Sequence, residues 1–278
     1  MTAPDDDARL PYVLTGAGRP TTVFAPGLGG SVEQTRPFGS GVRGTRAFLD
    51  HDEDDAAQSL TYADLAADVR GVADGTGATR AVGVSLGAGA ILQLLAATPD
   101  RFECAVLVLP AALDRPRPAL VAARMRAAAE KADRGDVEAV AAALRDLQPA
   151  AVRDRPDVVA WSRDRAQVLA GPAFARVLRA FADQRPLADR GVLAHCTAPV
   201  LVVGQEGDDA HPAPVARETA AALPNAELVV FPPGGLLWEY RARTRARISG
   251  FLNGTAEVDA EVDAEVDVDG PGVVGDLP

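Results

Sequence analysis

The stretch Gly83-Val84-Ser85-Leu86-Gly87, continued by Ala88-Gly89, constrains the fold more than any other part of the chain. A strand pattern at 81–85 runs straight into an apolar helical pattern at 86–97, so Ser85 falls on a strand–turn–helix junction. A turn that sharp presses backbone against backbone, and side chains at 83 and 87 would collide with it. Glycine at both positions removes the conflict. The hydroxyl of Ser85 then projects from the C-terminal edge of a sheet, with a helix N-terminus behind it. The bland alternative is a Gly-rich strand-to-helix turn without chemistry.

The remaining pattern fits around that junction. Short runs at 12–15, 22–25, 46–49, 104–109, 200–203 and 227–231 read as further strands. Most are continuous and apolar, as parallel strands covered on both faces are. Helical patterns at 62–73, 86–97, 214–223 and 239–252 alternate with them, with Thr61 as an N-cap and Pro99 as a stop. The alternation predicts an α/β domain with a mainly parallel sheet and helices on both faces. From 114 to 190 the strand signal stops. Amphipathic segments rich in Ala, Arg and Leu, cut by prolines, predict an inserted helical lid between core halves 10–113 and 191–252. Residues 253–278 hold three Ala-Glu-Val-Asp repeats, and they read as a disordered acidic tail.

That tail governs the charge. The chain carries a formal −11, but eight acids and no lysine or arginine fall in 253–278, which leaves the body about −3. The balance speaks against nucleic acid or an anionic membrane as a partner. No apolar run is long enough to span a bilayer, the N-terminal residues lack the apolar core of a signal peptide, and a cytoplasmic protein is expected. The two cysteines, Cys104 and Cys196, are too few for a disulfide framework or a zinc site. No phosphate loop, dinucleotide fingerprint or metal triad is present, so no cofactor is expected.

A second Gly-rich loop, Ala25-Pro26-Gly27-Leu28-Gly29-Gly30-Ser31, follows the strand at 22–25 at the same sheet edge. With these two motifs the chain resembles the α/β-hydrolase superfamily over about residues 10–252, lid included. The resemblance implies Ser85 as nucleophile. It implies an oxyanion hole from the N–H groups of Leu28, beside Gly27, and of Leu86. Pro26 stands where the family usually has histidine. The family's acid follows the first strand after the lid, and in Val203-Gly204-Gln205-Glu206-Gly207-Asp208 that role falls to Asp208.

The pattern breaks at the base. The family places a histidine after the last strand. Here that stretch reads Phe231-Pro232-Pro233-Gly234-Gly235-Leu236-Leu237-Trp238, with Gly235 where histidine is expected and Trp238 placed either to line an apolar substrate pocket or to fill the vacant space. The three histidines of the chain are weighed instead. His195 precedes a core strand and so lies toward the wrong edge. His51 lies at the right edge, but flanking acids favour its imidazolium. His211, three residues after Asp208, is at the right edge with a carboxylate neighbour. It is either a substitute base or a structural side chain of its loop.

Three functions remain open on this reading. The first is hydrolysis of a small or medium apolar ester, lactone or thioester through Ser85 with an atypical or missing base. The second is a diverged, non-hydrolytic enzyme of the cyclase or lyase kind. The third is a ligand-binding relic. Acidic residues at 52–55 and 206–209 would make a neutral or cationic small molecule a better substrate than an anion.

Overall fold

The structure, a computed structural model, describes residues 12–50 and 60–255. His51, the acidic run 52–55 and the tail from residue 256 lie outside them. The described chain runs β1 (Tyr12–Thr15), β2 (Thr21–Ala25), α1 (Val32–Thr35), β3 (Thr45–Leu49), α2 (Tyr62–Thr76), β4 (Arg80–Val84), α3 (Leu86–Ala97) and β5 (Cys104–Val108). Four helices follow: α4 (Ala119–Asp133), α5 (Val137–Asp146), α6 (Pro156–Leu169) and α7 (Pro172–Phe181). The core resumes with β6 (Val200–Gln205), α8 (Ala213–Ala222), β7 (Ala226–Phe231) and α9 (Arg241–Asn253).

The strands form one sheet in the order β1-β3-β2-β4-β5-β6-β7. All neighbours pair in parallel except β1, which runs antiparallel to β3. This is the α/β-hydrolase fold that the two Gly-rich motifs imply. Side chains alternate across the sheet with a period of two. Val23 and Ala25 join the core that holds α2 and α3, whereas Phe24 faces the other core with Phe48, their rings stacked at 4.6 Å. Helix α3 is buried nearly all round, including Ile91, Leu92 and Leu95. Each such side chain contributes about 1.5–3 kcal/mol by leaving water. Helix α2 starts on a reciprocal cap, in which Thr61 Oγ1 accepts from Asp64 N–H at 3.1 Å and donates to the Asp64 carboxylate at 2.7 Å.

In-register pairing lines up the C-terminal ends of β2, β4 and β5, with Ala25 opposite Gly83 and Val84 opposite Val108. One sheet edge therefore receives the Gly-rich loop after β2, Ser85 after β4, the insertion after β5 and the Asp208–His211 loop after β6.

Helices α4 to α7 lie between β5 and β6, with no strand among them. An ion pair joins the two ends of this stretch. Arg190 donates to both carboxylate oxygens of Asp114, at 2.7 and 2.6 Å, and also to Glu218 of α8 at 2.7 Å. Deeper in, the guanidinium of Arg117, only 7% exposed, donates to the Phe181 carbonyl at 2.7 Å and to the Tyr62 hydroxyl at 3.3 Å. It thereby satisfies the C-terminus of α7 and ties it to α2.

The hydrogen bonds from Arg190 hold the Asp114 carboxyl below its ordinary range, and those from Arg115 and Arg190 do the same for Glu218. A depressed folded-state pKa adds stability that is complete above the unfolded-chain values. It is lost as the pH falls through the folded ones. Arg190→Ala is therefore expected to cost about 1–2 kcal/mol at neutral pH for this partly exposed, bidentate clasp. In urea melts, the gap to the parent chain should shrink as the pH drops below the ordinary carboxylate range of about 4.

One expectation needs correction at the C-terminus. The acidic tail does not begin at 253. Asn253 closes α9, Gly254 adopts the left-handed conformation at φ +69°, and Thr255 N–H bonds back to the Gly250 carbonyl at 2.9 Å. The helix thus keeps a Gly-capped end that a reading based on acids alone does not register.

Candidate active site

Strand β4 ends at Val84, one residue earlier than the apolar pattern suggests, because Ser85 leaves extended geometry for φ +53°, ψ −104°. Such a conformation is costly for a residue with a Cβ, and the surroundings enforce it. A Cβ on Gly83 would lie 2.4 Å from the Gly87 carbonyl oxygen, and one on Gly87 would lie 2.3 Å from that of Ala25. The Ser85 N–H bonds to the Val108 carbonyl at 2.9 Å, which anchors the turn to the next strand.

Gly27 lies beside this turn. A Cβ there would come within 3.4 Å of both Ser85 Cβ and the Val84 carbonyl oxygen. The following Leu28 packs on the apolar core, and Gly29 lies under the insertion, with Leu169 of α6 and Phe174 of α7 about 3.0 and 3.2 Å from the place of its Cβ. Arg165 of α6 donates to the Gly29 carbonyl. Neither Leu28 N–H nor Leu86 N–H donates to a backbone carbonyl among the described residues. For Leu86 this follows from its place at the first position of α3, where helices leave N–H groups unpaired.

The loop after β6 supplies the rest. Asp208 is nearly fully buried, with its side chain 3% exposed. One carboxylate oxygen accepts the N–H groups of Ala210 and His211, at 2.9 and 3.0 Å. The other lies 2.9 Å from His211 Nδ1. The same carboxylate thus shapes the turn and orients the ring. Burial alone would push this carboxyl up, but the adjacent His211 and the hydrogen bonds from His211 and Ala210 outweigh it and hold the group below its ordinary value. Across the ring, His211 Nε2 lies 2.9 Å from Ser85 Oγ. The pattern assigns the tautomer: Nδ1–H donates to Asp208, and Nε2 is left to accept from the serine hydroxyl. The three groups form a continuous relay that can remove a proton from Ser85. His211, which the sequence leaves as either a substitute base or a structural side chain of its loop, bridges Asp208 and Ser85.

The expected histidine position is physically closed. Gly235 has φ +82°, and a Cβ there would fall 2.3 Å from Trp238 Cδ1. The indole packs against Gly235, donates from Nε1 to Gln148 Oε1 at 3.0 Å and meets Trp161 of α6 edge-on at 5.7 Å. An indole filling the space is therefore what the structure contains. His195 lies at the end of a short 3₁₀ turn ahead of β6, its Nδ1 3.2 Å from the Val192 carbonyl, away from Ser85.

The expected repulsion of anions loses part of its basis. Of the acids at 206–209, Asp208 serves His211, Glu206 pairs with Arg217, and Asp209 faces Arg124 at 3.4 Å and Arg153 at 3.9 Å. Among the described residues no group of three His, Cys, Asp or Glu is placed to hold a metal, and no helix is long and apolar enough to cross a membrane. Gln148, Arg153 and Leu169 were not singled out by sequence. They sit on the insertion, where amphipathic periodicity marks a buried face but not which neighbour it meets.

The model of a family described as the alpha/beta hydrolase family matches residues 9–247. No curated protein matches the chain. Among solved structures, an esterase from Thermogutta terrifontis superposes with a TM-score of 0.72 at 18% identity, over 88% of this chain and 93% of that one. The enol-lactonase from Burkholderia xenovorans LB400 gives 0.69 at 22% identity, over 87% and 94%. The protein BpoC from Mycobacterium tuberculosis H37Rv gives 0.69 at 24%, over 89% and 96%. At these identities the likeness is one of fold.

Proposed function

The chain belongs to the alpha/beta hydrolase family, and from that premise we propose that it is a serine hydrolase of small or medium apolar esters, lactones or thioesters. In this reading Ser85 is the nucleophile, His211 the general base and Asp208 the acid that orients it. The observation that carries it is the pair of 2.9 Å contacts of His211, one to Asp208 and one to Ser85. An unassisted serine hydroxyl is a weak nucleophile, and a base within hydrogen-bond reach is what activates it.

The steps follow from that geometry. Ser85 Oγ attacks the acyl carbon while its proton passes to His211 Nε2. The carbonyl oxygen gains the charge and is held by the N–H groups of Leu28 and Leu86, the latter at the positive end of α3. The imidazolium, stabilised by Asp208, returns its proton to the departing alkoxide or thiolate, leaving an acyl-serine. Water then attacks the acyl group, His211 again takes and returns a proton, and the acid and free Ser85 are released.

Leu169 and Phe174, which lie over Gly29, and Leu28 beside it on the oxyanion loop support an apolar acyl group. With Glu206 and Asp209 both facing arginines, the substrate preference rests on this apolar cover more than on charge, and a neutral molecule suits it best. The insertion acts as a lid over this site. The non-hydrolytic and ligand-binding readings drew on the histidine missing after the last strand, and His211 removes that motive. Assays with p-nitrophenyl acetate and butyrate and with simple γ-lactones test the reading. Turnover that disappears in Ser85→Ala is expected. No turnover of any neutral ester, thioester or lactone would overturn it.

A further inference from the structure

His211 reaches Ser85 from a loop, and a loop keeps its place through what it touches. Asp208 secures the inner side of this one. The outer side rests on the insertion, because Asp209 faces Arg124 of α4 and Arg153, which follows α5. Arg153 Nε donates to the Gln148 carbonyl at 2.7 Å, and the Gln148 side chain accepts from Trp238 at 3.0 Å. Trp238 in turn meets Trp161 of α6. One short stretch, 148–153, therefore touches both the loop that carries His211 and the turn that fills the usual histidine position.

We infer that Gln148 and Arg153 are positioning residues, and that docking of the insertion through them sets the His211 loop against Ser85. The insertion then completes the site as well as covering it. This rests on His211 being the base. Ion pairs as exposed as those of Asp209 add little to global stability. A proton relay, however, is sensitive to displacements well below the size of an atom. The effect should accordingly appear in kcat and leave KM and folding almost untouched.

The tests use the full chain. Arg153→Gln is expected to lower kcat about three- to tenfold with KM within about twofold, the scale of one weak ion pair acting on alignment. Arg153→Lys, which keeps the charge toward Asp209, should recover most of the loss. Asp209→Asn combined with Arg153→Gln should lose less than the two single variants added together, because the two side chains share a contact. The chain has two tryptophans, Trp161 and Trp238, so their exciton couplet in circular dichroism reports docking directly, and Gln148→Leu should weaken it. The hydrogen-bonded Nδ1 proton of His211, followed by NMR, should shift or broaden in Arg153→Gln. Unchanged kcat in Arg153→Gln, or a fall that only tracks a loss of folded protein, would overturn the inference. So would an unmoved His211 proton, and that readout needs no turnover. A parent chain without His211-dependent turnover would instead count against the proposed function.

Discussion

His211→Ala is expected to lower kcat for a short-chain ester by about four to six orders of magnitude, the scale seen when the base of a serine relay is removed. His195→Ala should leave it unchanged. The size of the loss follows from the relay acting as a unit: without Nε2 at 2.9 Å, nothing described beside Ser85 Oγ can take its proton. What survives comes from the Leu28 and Leu86 N–H groups and from binding. In the His211→Ala background, adding Gly235→His should not restore turnover. The new Cβ would need the place held by Trp238, at a φ of +82° that favours glycine over residues with a Cβ. Rescue by that substitution would mean that the site after β7 is open, against the packing of the indole. Steady-state kinetics on the purified variants read all of these outcomes.

Ser85→Gly and Ser85→Ala should both abolish turnover to a similar residue, yet differ in stability. Both lose the hydroxyl and its contact with His211. Only alanine keeps a Cβ at φ +53°, ψ −104°. Glycine accepts that conformation without penalty, and a residue held in such a region stores about 1–3 kcal/mol. Set against the extra freedom of glycine in the unfolded chain, about 0.5–1 kcal/mol, Ser85→Gly should be the more stable variant by about 1 kcal/mol in urea denaturation. Equal stability would mean that the elbow is unstrained. This is the local form of a general trade, in which a site is kept ready at the expense of the fold.

The elbow was readable because its constraint is local. Glycines at 83 and 87 are required by contacts within a few residues and with one neighbouring strand, so the pattern travels intact in sequence. The sheet was legible for a similar reason, since aliphatic runs covered on both faces look alike wherever they pair. Gly27 and Leu28 followed from their place after β2. His211 is harder. Sequence leaves it as either a substitute base or a structural side chain, because what distinguishes it is a 2.9 Å approach to a serine 126 positions earlier. That distance depends on how β4 and β6, separated by β5, end at one edge. The roles of Gln148 and Arg153 were not legible at all. They arise from the docking of α4 to α7 on the core, and amphipathic periodicity does not say against what a helix packs. Glu206 and Asp209 show the same limit with charge, since their arginine partners lie 11 residues or more away in sequence.

The most direct test is the rate at which a fluorophosphonate modifies the chain, with the modified residue identified by peptide mass spectrometry. This reagent needs a serine activated by a base and asks nothing about the natural substrate. The account predicts modification at Ser85 in the parent chain and in His195→Ala, and a rate at least about a thousandfold lower in His211→Ala. Labelling of Ser85 at the same rate with and without His211 would contradict it, as would a parent chain left unmodified.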